Sequence, residues 1–121
     1  MHRKTLLIAD DDRSMHDLYP QYLGDTYEYL HAYNGVDALM MAVDQLPDLI
    51  ILDVMMPGLD GREVCKRIKS YPKTQGIRVV MVTGKNEQSD RLVGFEVGAD
   101  DYLEKPYSLE ILARTIAKQL R

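Results

Sequence analysis

The sequence predicts an α/β fold, in which a doubly wound, five-stranded parallel sheet has helices on both faces. Five short apolar runs alternate with five stretches of helical periodicity along the chain. Parallel strands need a crossover between them, and a helix in each crossover covers one face of the sheet or the other. The length of 121 residues is typical of one domain, so we expect residues 1–121 to form a single unit.

The predicted strands are residues 5–9, 27–32, 48–52, 78–82 and 101–103. The first, third and fourth are almost wholly aliphatic, which is typical of strands buried on both faces. The second strand lies in the stretch YEYLHAY, residues 27–33, which is more polar, and this favours a position at the edge of the sheet.

The predicted helices are residues 13–23, 36–46, 62–69, 88–97 and 109–120, each with apolar residues three and four apart. Pro20 lies inside the first helix and lacks a backbone donor, so we expect it to kink or shorten that helix. The segment SYPKTQGI, residues 70–77, is predicted to be a loop.

Composition and charge exclude several classes of protein. The net charge of −4 argues against a surface that binds nucleic acid directly. No apolar run approaches the roughly 20 residues that span a membrane, and the acidic start of the chain is unlike a signal peptide. The single cysteine, Cys65, excludes an internal disulfide and suits a reducing compartment. We therefore expect a cytoplasmic protein.

Polar side chains stand at the carboxyl ends of four predicted strands. They are Asp10, Asp11 and Asp12 after the first strand, Asp53 after the third, Thr83 after the fourth and Lys105 after the fifth. The carboxyl ends of parallel strands lie at one edge of the sheet, which is where open α/β sheets bind ligands. We therefore expect these groups to form one site.

Crowded carboxylates at this edge predict a bound cation. Two like charges about 4 Å apart repel by about 4 kcal/mol at an effective dielectric of 20, so the site must protonate an acid or bind a cation. Oxygen ligands select a hard ion, and a set that leaves positions for water and phosphate favours Mg²⁺. A carboxylate beside a cation and a lysine can attack phosphorus, which predicts an aspartyl phosphate at Asp53.

Four motifs together make the sequence resemble a receiver domain of the two-component response regulators, of the chemotaxis-regulator kind, over essentially its whole length. They are the paired acids after the first strand, D-x-M-M-P-G-x-D-G from Asp53, V-T-G from Val82 and G-A-D-D-Y-L-x-K-P-Y from Gly98. The resemblance implies the flavodoxin-like strand order 2-1-3-4-5. It also implies a signalling switch that depends on phosphorylation.

The resemblance implies a role for each residue that matches these motifs. Asp53 is expected to accept the phosphoryl group, with Thr83 and Lys105 contacting its oxygens. Thr83 and Tyr102 match the switch residues of the family, and a cis peptide bond is expected before Pro106.

The metal ligands that the resemblance implies are drawn from two loops. Asp11 and Asp53 are expected to bind Mg²⁺ directly, Met55 through its backbone carbonyl, and Asp10 through water. Mn²⁺ is expected to substitute for Mg²⁺. Met55 and Lys85 match variable positions beside the phosphoryl group, and neither is a general base, so we expect slow hydrolysis of the phosphorylated state.

The partners implied by the resemblance are a histidine kinase or phosphotransfer protein and a downstream effector domain or protein. The effector would contact the fourth predicted helix, the fifth strand and the fifth helix. The same face resembles a symmetric homodimer surface of the family, although Ile116 replaces a basic residue that is frequent there; the matching charges are Arg91, Asp100, Asp101, Glu110 and Arg114. The domain would catalyse only its own phosphorylation and dephosphorylation, so it is not expected to be a metabolic enzyme.

Three other functions fit the sequence less well. A flavin-binding electron carrier needs a Ser/Thr/Gly-rich phosphate cradle after the first strand, where three aspartates would repel phosphate. A hydrolase acting through an aspartyl phosphate needs an acid two residues after the nucleophile, where Met55 stands. An interaction module that works without phosphorylation is the remaining alternative, and the intact acidic site argues against it.

Several polar residues are assigned structural roles or none. Asp12 and Asp60 are expected to cap the helices that follow them. His2, His16 and His31 show no ligand spacing and receive no role.

Overall fold

The structure is a computed structural model that describes residues 3–84 and 98–121. Its five strands form one sheet in the order β2-β1-β3-β4-β5, and each neighbouring pair is parallel. The strands are β1 (Lys4–Ala9), β2 (Tyr27–Ala32), β3 (Leu49–Asp53), β4 (Arg78–Thr83) and β5 (Asp101–Glu104). The predicted fold class, strand order and edge position of the second strand are confirmed.

Four α-helices lie within the described residues. They are α1 (Arg13–Leu23), α2 (Gly35–Gln45), α3 (Gly61–Ser70) and a C-terminal helix (Leu109–Gln119). Within these ranges, no helix is long and apolar enough to cross a membrane. The fourth predicted helix, residues 88–97, lies outside the described residues, as do His2, Lys85 and Arg91. Helix α1 continues through Pro20 to Leu23, so the proline does not end it.

The core consists of two apolar layers, one on each face of the sheet, because successive strand residues point to opposite faces. One layer packs under α2 and α3 and includes Leu7, Ala9, Ile50, Leu52, Val79, Met81, Ala38, Ala42, Val64, Cys65 and Ile68. The other packs under α1 and the C-terminal helix and includes Leu6, Ile8, Leu49, Ile51, Val80, Val82, Tyr19, Leu112 and Ile116. Every residue of β3 is buried, so Asp53 ends a strand that is shielded from solvent on both faces.

Each described α-helix begins at a side-chain cap. The cap oxygens of Asp12, Asn34, Asp60 and Ser108 accept a backbone N–H two or three residues later, at 2.7 to 3.1 Å. A cap of this kind contributes about 1 kcal/mol. The predicted roles of Asp12 and Asp60 are confirmed. These caps also end the loops at the carboxyl edge of the sheet, and so help to fix their conformation.

Candidate functional site

Three carboxylates meet at the carboxyl edge of the sheet. Asp10, Asp11 and Asp53 each offer an oxygen atom, and the three atoms lie within 4.8 Å of one another. The cause is the register of two neighbouring strands: Ala9 of β1 pairs with Leu52 of β3, so the residues that follow them stand side by side. Asp10 and Asp53 are buried and Asp11 is exposed. The sequence-predicted acidic cluster is therefore present.

Lys105 follows the edge strand β5, and its side chain extends toward the same cluster. Its Nζ lies 3.3 Å from Oδ2 of Asp53. Its backbone N–H donates to the carbonyl of Thr83 at 2.8 Å, which ties the segment after β5 to the end of β4. The peptide bond from Lys105 to Pro106 is cis, as expected.

Burial and neighbouring charge set the protonation of this cluster. Burial raises the pKa of Asp53 to about 6; Lys105 opposes the rise in pKa, and Asp10 adds to it. Burial lowers the pKa of Lys105, but attraction to Asp53 and Asp10 outweighs it, and the net shift is upward. Lys105 alone therefore does not offset the cost of an ionised Asp53, and a bound cation would supply further compensating charge.

The turn after Asp53 holds its carboxylate and begins α3. The backbone N–H of Met55 donates to Oδ1 of Asp53 at 3.2 Å, and Gly58 adopts a positive φ of 81°. Gly61 packs against the Asp53 peptide so closely that an added Cβ would lie 2.3 Å from its carbonyl oxygen. The glycines after Asp53 are thus required by the backbone path that places α3 against the end of β3.

Thr83 ends β4 beside Asp53. Asp53 pairs with Val82 in the sheet, and the Oγ1 atom of Thr83 is buried with no hydrogen-bond partner among the described residues. A buried hydroxyl without a partner costs roughly 1–3 kcal/mol, so this atom is suited to a ligand that enters the site. Tyr102 pairs with Met81 on the next strand, and its ring packs against the apolar layer under α2 and α3.

Comparison with known proteins decides the family. Residues 6–117 match the family described as the response regulator receiver domain. This chain belongs to that family. The receiver domain is 42% identical over 106 residues to the response regulator PleD of Caulobacter vibrioides, a match that covers 88% of this chain and 23% of PleD. It is 42% identical over 113 residues to the phosphate regulon transcriptional regulatory protein PhoB of Pseudomonas aeruginosa, covering 92% of this chain and 49% of PhoB.

Solved structures show the same receiver fold. The chemotaxis response regulator CheY4 of Vibrio cholerae superposes with a TM-score of 0.89 at 30% identity, covering 98% of this chain and 99% of that one. The receiver domain of NtrX from Brucella abortus superposes with a TM-score of 0.85 at 29% identity, covering 95% and 97%. The chain spans less than half the length of PleD and PhoB, so their whole-protein activities do not transfer to it directly.

Sequence reasoning missed two pairs of residues beside the receiver site. Nε2 of His16 lies 2.8 Å from the carbonyl oxygen of Asp10, and Nδ1 of His16 lies 2.9 Å from Nδ1 of His31. The hydroxyls of Tyr19 and Tyr107 hydrogen-bond between α1 and the segment after Lys105. Neither pair has a spacing signal, because the partners lie 15 and 88 residues apart and meet only through the packing of α1.

Proposed function

We propose that this receiver domain is a signalling switch that accepts a phosphoryl group on Asp53 from a histidine kinase or phosphotransfer protein. The observation that carries the proposal is the environment of Asp53. Asp53 is only 6% exposed, yet its carboxylate lies close to Asp10 and Asp11 and 3.3 Å from Nζ of Lys105. A carboxylate is costly to bury without such partners. A buried carboxylate held among these charged groups is suited to accept a phosphoryl group.

In the proposed transfer, a carboxylate oxygen of Asp53 attacks phosphorus and forms an O–P bond while the bond to the donor breaks. The donor leaves with the bonding electrons, and a proton from solvent neutralises it. Lys105 lies close enough to Asp53 to pair with a phosphoryl oxygen, and Thr83 has a buried hydroxyl that would donate to another. Later attack by water on phosphorus regenerates the Asp53 carboxylate and releases inorganic phosphate.

The donor atoms present fit Mg²⁺. Asp10, Asp11 and Asp53 offer only carboxylate oxygens, which hard divalent cations prefer, and none of the soft ligands that select other metals. By the family pattern, Asp11 and Asp53 would bind the ion directly, Met55 by its backbone carbonyl and Asp10 through water, and Mn²⁺ would substitute. When bound, the cation would offset negative charge on the carboxylates and on the phosphoryl oxygens.

The proposed output surface is the face of β5 and the C-terminal helix, together with the segment 88–97 that lies outside the described residues. Thr83 would shift toward the phosphoryl group and open space for the ring of Tyr102, which biases a two-state equilibrium. An effector domain or protein, or a second copy of the chain in a symmetric dimer, would bind this face. The compartment we propose is the cytoplasm, where histidine kinases present their phosphoryl groups.

Intact mass tests the proposal directly. After incubation with Mg²⁺ and acetyl phosphate, we expect one added phosphoryl group in the unmodified protein and none in Asp53→Asn. Asp44→Asn is the matched control, since Asp44 is exposed on α2 and outside the acidic cluster. Equal labelling of Asp53→Asn would sink the assignment. Asp11→Ala should lose most of its Mg²⁺ affinity in a calorimetric titration.

A further inference from the structure

Two histidines connect the edge strand to the loop that carries the acid pair. His16 on α1 is only 3% exposed, and His31 on β2 is half-buried. Nε2 of His16 lies 2.8 Å from the carbonyl oxygen of Asp10. On the other side of the same ring, Nδ1 lies 2.9 Å from Nδ1 of His31. The three groups form a continuous hydrogen-bonded chain from β2 through α1 to the β1–α1 loop.

The carbonyl at one end fixes the direction of every hydrogen bond in this chain. A carbonyl oxygen only accepts, so Nε2 of His16 carries the hydrogen and donates to Asp10. In a neutral imidazole the other nitrogen then accepts, so Nδ1 of His31 donates to Nδ1 of His16. The two neutral rings therefore hold opposite tautomers, with His16 protonated at Nε2 and His31 at Nδ1.

The ring of His16 also contacts the aromatic ring of Tyr33. The centroid of Tyr33 lies 4.3 Å from that of His16 at an interplanar angle of 40°. The guanidinium of Arg13 lies 4.1 Å from the centroid of Tyr33 and covers the ring. These contacts restrict the rotation of the imidazole, so its Nε2–H points at one acceptor.

The Asp10 carbonyl controls the direction in which the chain reaches Asp11. A peptide unit is planar, so an anchored carbonyl oxygen also fixes the nitrogen and Cα of the next residue. The backbone N–H of Asp10 donates to the carbonyl of Ala32 at 3.1 Å, and Oδ1 of Asp10 accepts from the backbone of Asp12 at 2.9 Å. His16 supplies the remaining restraint, on the carbonyl itself.

We propose that His16, held in place by His31, is a positioning residue for the acid pair. His31 donates to Nδ1 of His16 and fixes the ring, Nε2–H of His16 donates to the Asp10 carbonyl, and that bond fixes the peptide that leads to Asp11. The role in cation binding rests on the proposed function, whereas the hydrogen-bonded chain itself does not. A residue that orients metal ligands in this way acts on affinity without touching the metal.

The first arm of the test reads the tautomers by ¹⁵N spectroscopy of the imidazole nitrogens in the metal-free protein. We expect His16 to be protonated at Nε2 and His31 at Nδ1. His31→Leu removes the donor to Nδ1, so His16 should keep its Nε2–H form while its Nδ1 resonance moves toward that of a nitrogen without a hydrogen bond. His31→Asn places an amide N–H near the former Nδ1 and should restore the original Nδ1 resonance. A His16 ring protonated at Nδ1 in the unmodified protein would overturn the inference.

The second arm compares two amides at position 16 by calorimetric titration with Mg²⁺. His16→Gln places its amide nitrogen near the former Nε2, whereas His16→Asn places it near the former Nδ1 and cannot reach Asp10. We expect His16→Gln to bind Mg²⁺ like the unmodified protein and His16→Asn to bind roughly tenfold more weakly. Urea unfolding of each variant confirms that it is folded. Equal affinities of the two variants would overturn the positioning role.

The two arms separate this inference from the proposed function. If the unmodified protein failed to bind Mg²⁺, the proposed function would fall and the positioning role with it. The tautomers of His16 and His31 would still decide whether the hydrogen-bonded chain exists. If the unmodified protein binds Mg²⁺ and only the histidine variants depart from expectation, the inference alone is wrong.

Discussion

Asp53 is a buried carboxylate, and its burial opposes its ionisation. Burial raises its pKa in the folded, metal-free protein to about 6, above the ordinary value of 3.8. The folded state therefore binds this proton more tightly than the unfolded state. The stabilisation from that proton is fully present below about pH 4 and is lost as the pH rises through 6.

Asp53→Asn removes this titration, so its effect on stability should depend on pH. In EDTA at pH 8, we expect the variant to unfold with a free energy roughly 1–3 kcal/mol higher than the unmodified protein. Near pH 4 the two proteins should be almost equally stable. Urea denaturation at the two pH values measures the difference. The same gain at both values would show that the ionisation of Asp53 does not control stability.

The family resemblance leads us to expect Met55 beside the phosphoryl group, where water would approach phosphorus. Met55 is 63% exposed, and its backbone N–H donates to Asp53. A thioether does not orient water, so we expect Met55→Asn, alone or with Lys85→Glu, to shorten the phosphorylated lifetime. A tenfold change corresponds to roughly 1.4 kcal/mol of barrier. Decay is followed by intact mass after the donor is removed.

The control for this prediction is Met40→Asn, since Met40 is similarly exposed, at 57%, but lies on α2. It should leave the lifetime unchanged. An unchanged or longer lifetime in both Met55 variants would show that another group controls access to phosphorus.

The acidic residues and Lys105 were predictable from the sequence, whereas the histidine chain was not. The strand ends of a parallel sheet lie at one edge by topology alone, so Asp10 and Asp53 meet because β1 and β3 are neighbours, and the long side chain of Lys105 reaches Asp53 from the end of β5. The contact between His16 and His31 depends instead on how α1 rotates over β2. No spacing in the sequence encodes that rotation.

At the scale of elements, the fit between β3 and α3 depends on the absence of one side chain. A Cβ on Gly61 would lie 2.3 Å from the Asp53 carbonyl oxygen and 2.8 Å from Cα of Val54. Both are backbone atoms, which cannot move without displacing the end of β3. We expect Gly61→Ala to lower the free energy of unfolding by roughly 1–3 kcal/mol. We also expect it to slow phosphorylation by acetyl phosphate.

Gly76→Ala is the matched control, because a Cβ at Gly76 would meet nothing within 4 Å. Urea denaturation and intact mass measure both variants. If Gly61→Ala matched Gly76→Ala in both measurements, the close approach of α3 to Asp53 would have no energetic consequence.

Within residues 3–84 and 98–121, the predicted strands and helices are all present as the predicted type, and the differences lie at their ends. Strand β3 continues one residue beyond its predicted end because Asp53 still pairs with Val82 on β4. Helix α2 begins one residue earlier than predicted, at Gly35, because Oδ1 of Asn34 accepts from the backbone of Asp37 and caps it. Periodicity reports the apolar face of an element, and it does not report the polar contacts that end it.

For the whole molecule, the charges expected at a dimer surface differ in how firmly they are held. Asp100 is 18% exposed at its side chain, and its carboxylate lies 2.7 Å from Nζ of Lys69 and 3.4 Å from Nη1 of Arg78. It also accepts from the backbone of Val79 at 2.8 Å. Asp100 thus joins α3, β4 and the start of β5. We infer that Asp100 stabilises the fold of its own chain and does not form contacts with a second copy.

Glu110 and Arg114 are held much more weakly. They pair at 2.7 Å on the exposed surface of the C-terminal helix. An exposed pair four residues apart contributes only about 0.3–0.5 kcal/mol. Either side chain can therefore exchange its partner for one on a second copy at little cost. A two-fold contact would repeat that exchange on both subunits.

These differences predict how two variants affect the proposed homodimer. With Mg²⁺ and a fluoroberyllate mimic of the phosphoryl group bound, we expect dimers of the unmodified protein at high concentration. Arg114→Glu should remain folded but monomeric, because the reversed charge repels the second subunit. Asp100→Asn should lower the free energy of unfolding while leaving dimerisation largely intact, because its partners lie within one chain. Light scattering and urea denaturation separate the two effects, and a monomeric unmodified protein with the mimic bound would dispose of the dimer.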